Sequence, residues 1–141
     1  MSLRILVPLI FFAAIGGCTS HVDGPIDYSV TGGFTGGGDG TALHIELDGT
    51  VTRPKAGGGT ETAKLDAATL DDLRGKIDDA DFASLAPKYS CCADVFIDNI
   101  SVQLDGSTYK VEADRGAQIP ERLKTVFDAL VDLYHRPLDW H

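Results

Sequence analysis

Cys91 and Cys92 stand side by side, and no other pair in the chain offers as much chemistry. Adjacent Cα atoms lie about 3.8 Å apart, below the usual disulfide separation of about 4.4–6.8 Å. A bond between them therefore closes a strained and comparatively reducible ring. Four states are open to the pair: a vicinal disulfide, two thiols, a soft-metal site, or a bridge to another chain. Asp94, Asp98 or His44 could complete a metal site, but zinc favours Cys and His at wider spacing, and no metal is assigned. His44-Ile-Glu46 has the His-x-Glu spacing of zinc deaminases without their Pro-Cys-x-x-Cys partner. Alternating on a strand, these two residues read as a solvated polar face. Asp94, Asp98 and Asp114 would suit acid–base or calcium chemistry. With 21 acidic residues in the chain, however, chance clustering is expected, and the Asp-x-Asp-x-Asp-Gly calcium pattern is missing. The chain also lacks a Gly-x-Ser-x-Gly elbow, a His-Glu-x-x-His pair, a phosphate-binding Gly-Lys-Ser/Thr loop and a Cys-x-x-Cys motif. No catalytic residue and no cofactor is assigned, and the expectation is a protein that binds rather than an enzyme.

Two glycine-rich stretches, residues 32–40 and 57–59, lie between strand-like runs and read as loops. The first could cradle an anion on backbone N–H groups, but it carries no basic residue and no helix follows it. Gly32-Gly33-Phe34 is the part of it with binding character. Phe34 either plugs the core or is presented to a partner, and the usual burial of aromatics favours the core. His135 and His141 belong to a partly ordered tail rather than to a ligand pair. Trp140 in that tail either folds back or anchors a partner.

The elements that must position these residues follow from hydrophobic period and turn chemistry. Strands are predicted over 28–31, 42–47 and 50–53, the last two joined by Asp48-Gly49. Asp66 caps a helix from Ala67 to about Asp79 with Leu70, Leu73 and Ile77 as its stripe, and Phe82 and Leu85 pack beyond its end. A long strand over 95–104, bulged near Asp98-Asn99, turns at Asp105-Gly106 into a strand over 108–113. Pro120 opens the last helix, in which Leu123, Val126, Phe127, Leu130, Val131 and Tyr134 share a face; it stops before Pro137. The fold class is α+β: an antiparallel sheet of about five strands, in the order strand-strand-strand-helix-strand-strand-helix, with two helices on one face.

The N-terminus supplies an address. Arg4 precedes an apolar run from Ile5 to Ile15, which is shorter than the 20 or so residues a membrane span needs. Ile15-Gly16-Gly17-Cys18 resembles a bacterial lipobox. That resemblance implies export, cleavage before Cys18, and acylation of Cys18; a plain secretory cut at one of the small-residue pairs is the rival. Residues 1–17 are then a signal peptide, 18–27 a lipidated N-terminus and short tether, 28–136 the domain and 137–141 a tail. Thr19 after the cysteine resembles lipoproteins sent to an outer membrane, where the cell has one. With 12 basic against 21 acidic residues the chain has a formal charge of −9. Nucleic acid is excluded as a partner, since phosphates require basic surfaces, and so is electrostatic adhesion to anionic lipid. With Cys18 lipidated, Cys91 and Cys92 are the only cysteines left to pair in an oxidising envelope compartment.

Thr31-Gly-Gly-Phe34, the following hairpin and the helix end Ala80-Asp-Phe82-Ala-Ser-Leu85 together resemble the emfourin (protealysin inhibitor) family. The run Asp94-Val-Phe-Ile-Asp-Asn-Ile-Ser-Val102, the turn at Asp105-Gly106 and Ile119-Pro120 continue in the same order, so the likeness covers roughly residues 28–134. The resemblance implies a non-catalytic domain that inhibits thermolysin-like zinc metallopeptidases by occupying the cleft with a pre-formed surface. The lipobox, Cys91-Cys92 and the expanded glycine loop depart from the family pattern. The alternative is an envelope binding or structural lipoprotein without a protease target, and a third reading is thiol-dependent metal or redox binding at Cys91-Cys92.

Overall fold

Alternate residues from Val22 through Ile26, Tyr28 and Val30 are buried, and they form the inner face of β1 (Val22–Gly32), the central strand of the sheet. The computed structural model describes residues 20–34 and 37–141; the segment 1–17 and Cys18 lie outside the described residues. Around β1 are β2 (Ala42–Ile45), β3 (Thr50–Pro54), β4 (Thr60–Lys64), β5 (Lys88–Tyr89), β6 (Phe96–Leu104) and β7 (Ser107–Asp114). They run across the sheet in the order β4-β3-β2-β1-β6-β7-β5. All pairings are antiparallel except that of β5, which lies parallel to β7 through Lys88↔Glu112 and Tyr89↔Ala113. The α+β class is as expected, but among the described residues the sheet is mixed and has seven strands rather than about five antiparallel ones.

Each difference from expectation has a local cause. β4 reads Thr-Glu-Thr-Ala-Lys and buries only Ala63, so its alternation carries little hydrophobic contrast. β5 has two residues, too few for any period. Residues 22–27, expected as part of the tether, are strand: Val22 pairs with Leu104, and Ile26 with Val102. Four residues of β1 thus advance against two of β6. The bulge sits at Gly24-Pro25, where proline is tolerated within a strand, and not at Asp98-Asn99. β2 ends at Ile45, which leaves Leu47 exposed.

α1 (Ala67–Ala80) is capped as predicted: the Asp66 carboxylate accepts the Thr69 N–H at 2.8 Å. It buries Leu70, Leu73, Ile77 and Ala80, and a single 3-10 turn at Phe82–Ser84 then folds Phe82 beneath it. α2 (Glu121–His135) buries Leu123, Val126, Phe127, Leu130 and Leu133. Val131, expected on that face, is exposed. The helices pack against each other and share one core with Ile26, Tyr28, Leu43, Ile45, Val51, Ile100, Val102 and Val111, all on one face of the sheet. Fully burying each such aliphatic side chain contributes about 1.5–3 kcal/mol. No described helix is long and apolar enough to cross a membrane.

The tail folds back on the domain. Thr62 and His141 exchange two backbone hydrogen bonds, at 3.0 and 2.8 Å, so the chain end lies along the outer edge of β4. The Trp140 ring lies 3.9 Å from the Arg53 guanidinium, which also donates to Glu61 at 2.6 Å and to the Tyr134 carbonyl at 2.5 Å. An edge strand whose N–H and C=O groups face solvent is a template for unwanted pairing, and this latch covers it. Trp140→Ala should cost about 0.5–2 kcal/mol of stability through the lost cation–π contact. Denaturant titration measures that loss, and amide exchange at Thr62, which should accelerate, reports the uncovered edge.

Candidate functional site

The last residues of β1 run off the sheet into Gly32-Gly33-Phe34. Gly33 has φ +80, and a Cβ there would lie 2.7 Å from the Phe96 ring. Gly38 has φ +81, and a Cβ there would sit 2.2 Å from the Val30 carbonyl oxygen. Only glycine meets both conditions without strain or collision, which is why this loop is built from it. The base of the loop is fixed on both limbs. Gly33 donates to the Val95 carbonyl and Gly38 to the Gly32 carbonyl, each at 3.0 Å, while Val30 N–H reaches the Thr41 carbonyl at 3.0 Å. From this base Phe34 projects 95% exposed. It is not a core plug: Tyr28 and Phe127, with ring centroids 6.2 Å apart, occupy the interior on the helix side.

An ionic chain ties the returning limb to the core. The Tyr28 hydroxyl donates to Asp98 at 2.7 Å, the Arg115 guanidinium holds Asp98 at 3.2 Å, and Arg115 also reaches Asp39 of the glycine loop at 3.5 Å. Burial, and then the hydrogen bond to Asp98, holds the Tyr28 hydroxyl well above the usual tyrosine pKa, so it stays a donor. The hydrogen bonds that Arg115 donates to the Asp98 carboxylate raise the pKa of Arg115.

The Cys91-Cys92 loop lies at the same end of the sheet. The two sulfurs are joined as a vicinal disulfide across Cα atoms 3.8 Å apart, and both residues are exposed. Asp114, buried, accepts the Cys91 N–H at 2.9 Å. Asp94 adopts a left-handed conformation in this loop, at φ +56. Asp94, Asp98 and Asp114 therefore act separately: one shapes a turn, one receives Tyr28 and Arg115, and one anchors Cys91. Among the described residues no three His, Cys, Asp or Glu side chains converge as a metal site requires.

His44 occupies the opposite, open face of the sheet, in a cross-strand row with Thr52, Asp27, Ser101 and Lys110. A shallow basin of about 460 Å³ lies over this row. Its imidazole is held on both sides, with Nδ1 2.6 Å from Asp27 and Nε2 2.9 Å from Glu46. These two carboxylates raise its pKa, Asp27 foremost. When the ring is protonated both nitrogens donate to these carboxylates, and in that state His44 has no lone pair free to bind a metal. Of the residues singled out from sequence, the fold gathers Gly32, Gly33, Phe34, Cys91 and Cys92 at one end and leaves His44 elsewhere. Arg115 and Asp39 escaped sequence reasoning because one charge among many carries no periodic or spacing signal.

No protein-family model matches the chain, and no curated protein does.

The raised His44 pKa has a defined sign in stability. The folded value lies above the unfolded one, so the stabilisation is complete below about pH 6.5 and is lost as pH rises through the folded value. With the side chain 41% exposed, solvent screening limits the effect to about 1 kcal/mol or less. NMR titration should place the His44 midpoint above 6.5, and His44→Gln should flatten the stability profile above that pH.

Proposed function

We propose that this chain is a bacterial envelope lipoprotein, acylated at Cys18, whose domain binds a protein partner through the Gly32-Gly33-Phe34 turn. In this reading the partner is a thermolysin-like metallopeptidase, which the domain inhibits. The observation that carries the proposal is Phe34: a large apolar side chain, 95% exposed, on a loop base fixed by backbone hydrogen bonds and by the Asp39–Arg115 ion pair. Holding an aromatic in water has no benefit for the isolated domain. A pre-formed base reduces the ordering entropy lost on binding, and aromatics seated in a partner's pocket dominate interface energy. The emfourin resemblance supports the choice of partner.

Titration of a thermolysin-like enzyme with the full chain in detergent should give stoichiometric loss of peptidase activity. Phe34→Ala should weaken the inhibition by roughly tenfold or more while leaving the thermal midpoint unchanged, since Phe34 contributes nothing to the core. Undiminished proteolysis, or digestion of the domain itself, rejects the protease as partner. The chain then stands as an envelope binding lipoprotein with a different protein target.

A further inference from the structure

The loop that carries Cys91 and Cys92 is also the floor of the turn that presents Phe34. Three residues beyond Cys92, the Val95 carbonyl accepts the Gly33 N–H at 3.0 Å; one residue later, Phe96 pairs with Gly32 across β1 and β6. The Phe96 ring fills the space where a Gly33 side chain would stand. On its other flank the loop is fastened to the end of β7. Cys91 N–H donates to Asp114 at 2.9 Å, the Cys91 sulfur lies 3.9 Å from the Arg115 carbonyl, and Arg115 N–H donates to the Phe96 carbonyl at 2.9 Å. Between these two fastenings Asp94 turns the chain in a left-handed conformation, φ +56, a region aspartate enters more readily than most non-glycine residues. Both cysteines are exposed, so an external thiolate has access to either sulfur.

We propose that Cys91-Cys92 is a thiol–disulfide exchange site for a dithiol reductant, and that its oxidation state sets how firmly the Phe34 turn is held. A thiolate of the reductant attacks one sulfur, the Cys91–Cys92 bond breaks, and a mixed disulfide forms. The second reductant thiolate then resolves that bond and leaves as part of an oxidised, cyclic disulfide. Two electrons and two protons remain on the chain as the Cys91 and Cys92 thiols. Opening the ring returns torsional freedom to residues 91–94, loosens the Val95 carbonyl and weakens its hydrogen bond with Gly33. The reduced form presents Phe34 from a mobile base and binds its partner more weakly. This last consequence rests on the role given to Phe34 above; the exchange chemistry and its effect on Gly33 do not.

The test compares the full chain in detergent before and after treatment with dithiothreitol. Thiol titration should count two additional free thiols per chain after reduction. Amide exchange at Gly33 should accelerate about tenfold while that of core strand residues such as Val102 holds steady, as expected for a local opening. The C91S/C92S double variant should show the fast Gly33 exchange with or without reductant; should it fail to fold, the reduced native chain carries the comparison alone. No additional thiols, or two additional thiols with Gly33 exchange unchanged, overturns the proposal. A Gly33 response without metallopeptidase inhibition by either form upholds the exchange site and rejects the protease reading instead.

Discussion

The Tyr28 hydroxyl is the polar group around which this domain is organised. Its ring sits in the middle of the core, on the central strand and against Phe127 of α2. A hydroxyl taken out of water there must find a partner or cost about 1–3 kcal/mol, and Asp98 is that partner. The carboxylate in turn needs a counter-charge, and Arg115 supplies it while extending to Asp39 in the glycine loop. One requirement of burial thus fixes the register of β1 against β6, orients the end of β7, and anchors a surface loop that contributes nothing to the core.

The layout of the domain separates two kinds of surface. The open sheet face carries His44, which is held between Asp27 across the strand pair and Glu46 two residues on, beside a row of hydroxyl residues. The end of the sheet differs: the glycine loop and the Cys91-Cys92 loop place an unsatisfied apolar side chain and an accessible sulfur pair within one hydrogen-bonded framework.

Much of this architecture was legible in the sequence. α1 and α2 announced themselves through an Asp66 cap, a proline start and apolar residues at helical spacing. The Asp48-Gly49 and Asp105-Gly106 turns lie where tight turns were expected, each with glycine in the left-handed region. Strands with weak contrast were hidden: β4 is mostly threonine and charge, β5 is a single parallel pair, and the start of β1 was masked by Gly24-Pro25, which signals a break yet here forms a bulge. Phe34 was misplaced for a different reason. Aromatic burial is a statistical tendency, and Phe34 follows two glycines in the left-handed region that carry the chain off the sheet and leave its ring in solvent. Trp140 shows the converse, since its position in the tail carried no signal of the Arg53 side chain that receives it.

The course of β1 also sets a direction. Val22 lies beside Leu104 at one end of the sheet, and Gly32 beside Phe96 at the other. An extended strand of this length spans roughly 30 Å. Were Cys18 acylated as proposed, the four residues to Val22 would reach at most about 14 Å and leave the domain little freedom to turn over. Its orientation would then be polar: the end bearing His21 and Asp105 would face the lipid headgroups, and Phe34 would stand out toward the aqueous side, at the height where a diffusing protein would meet it.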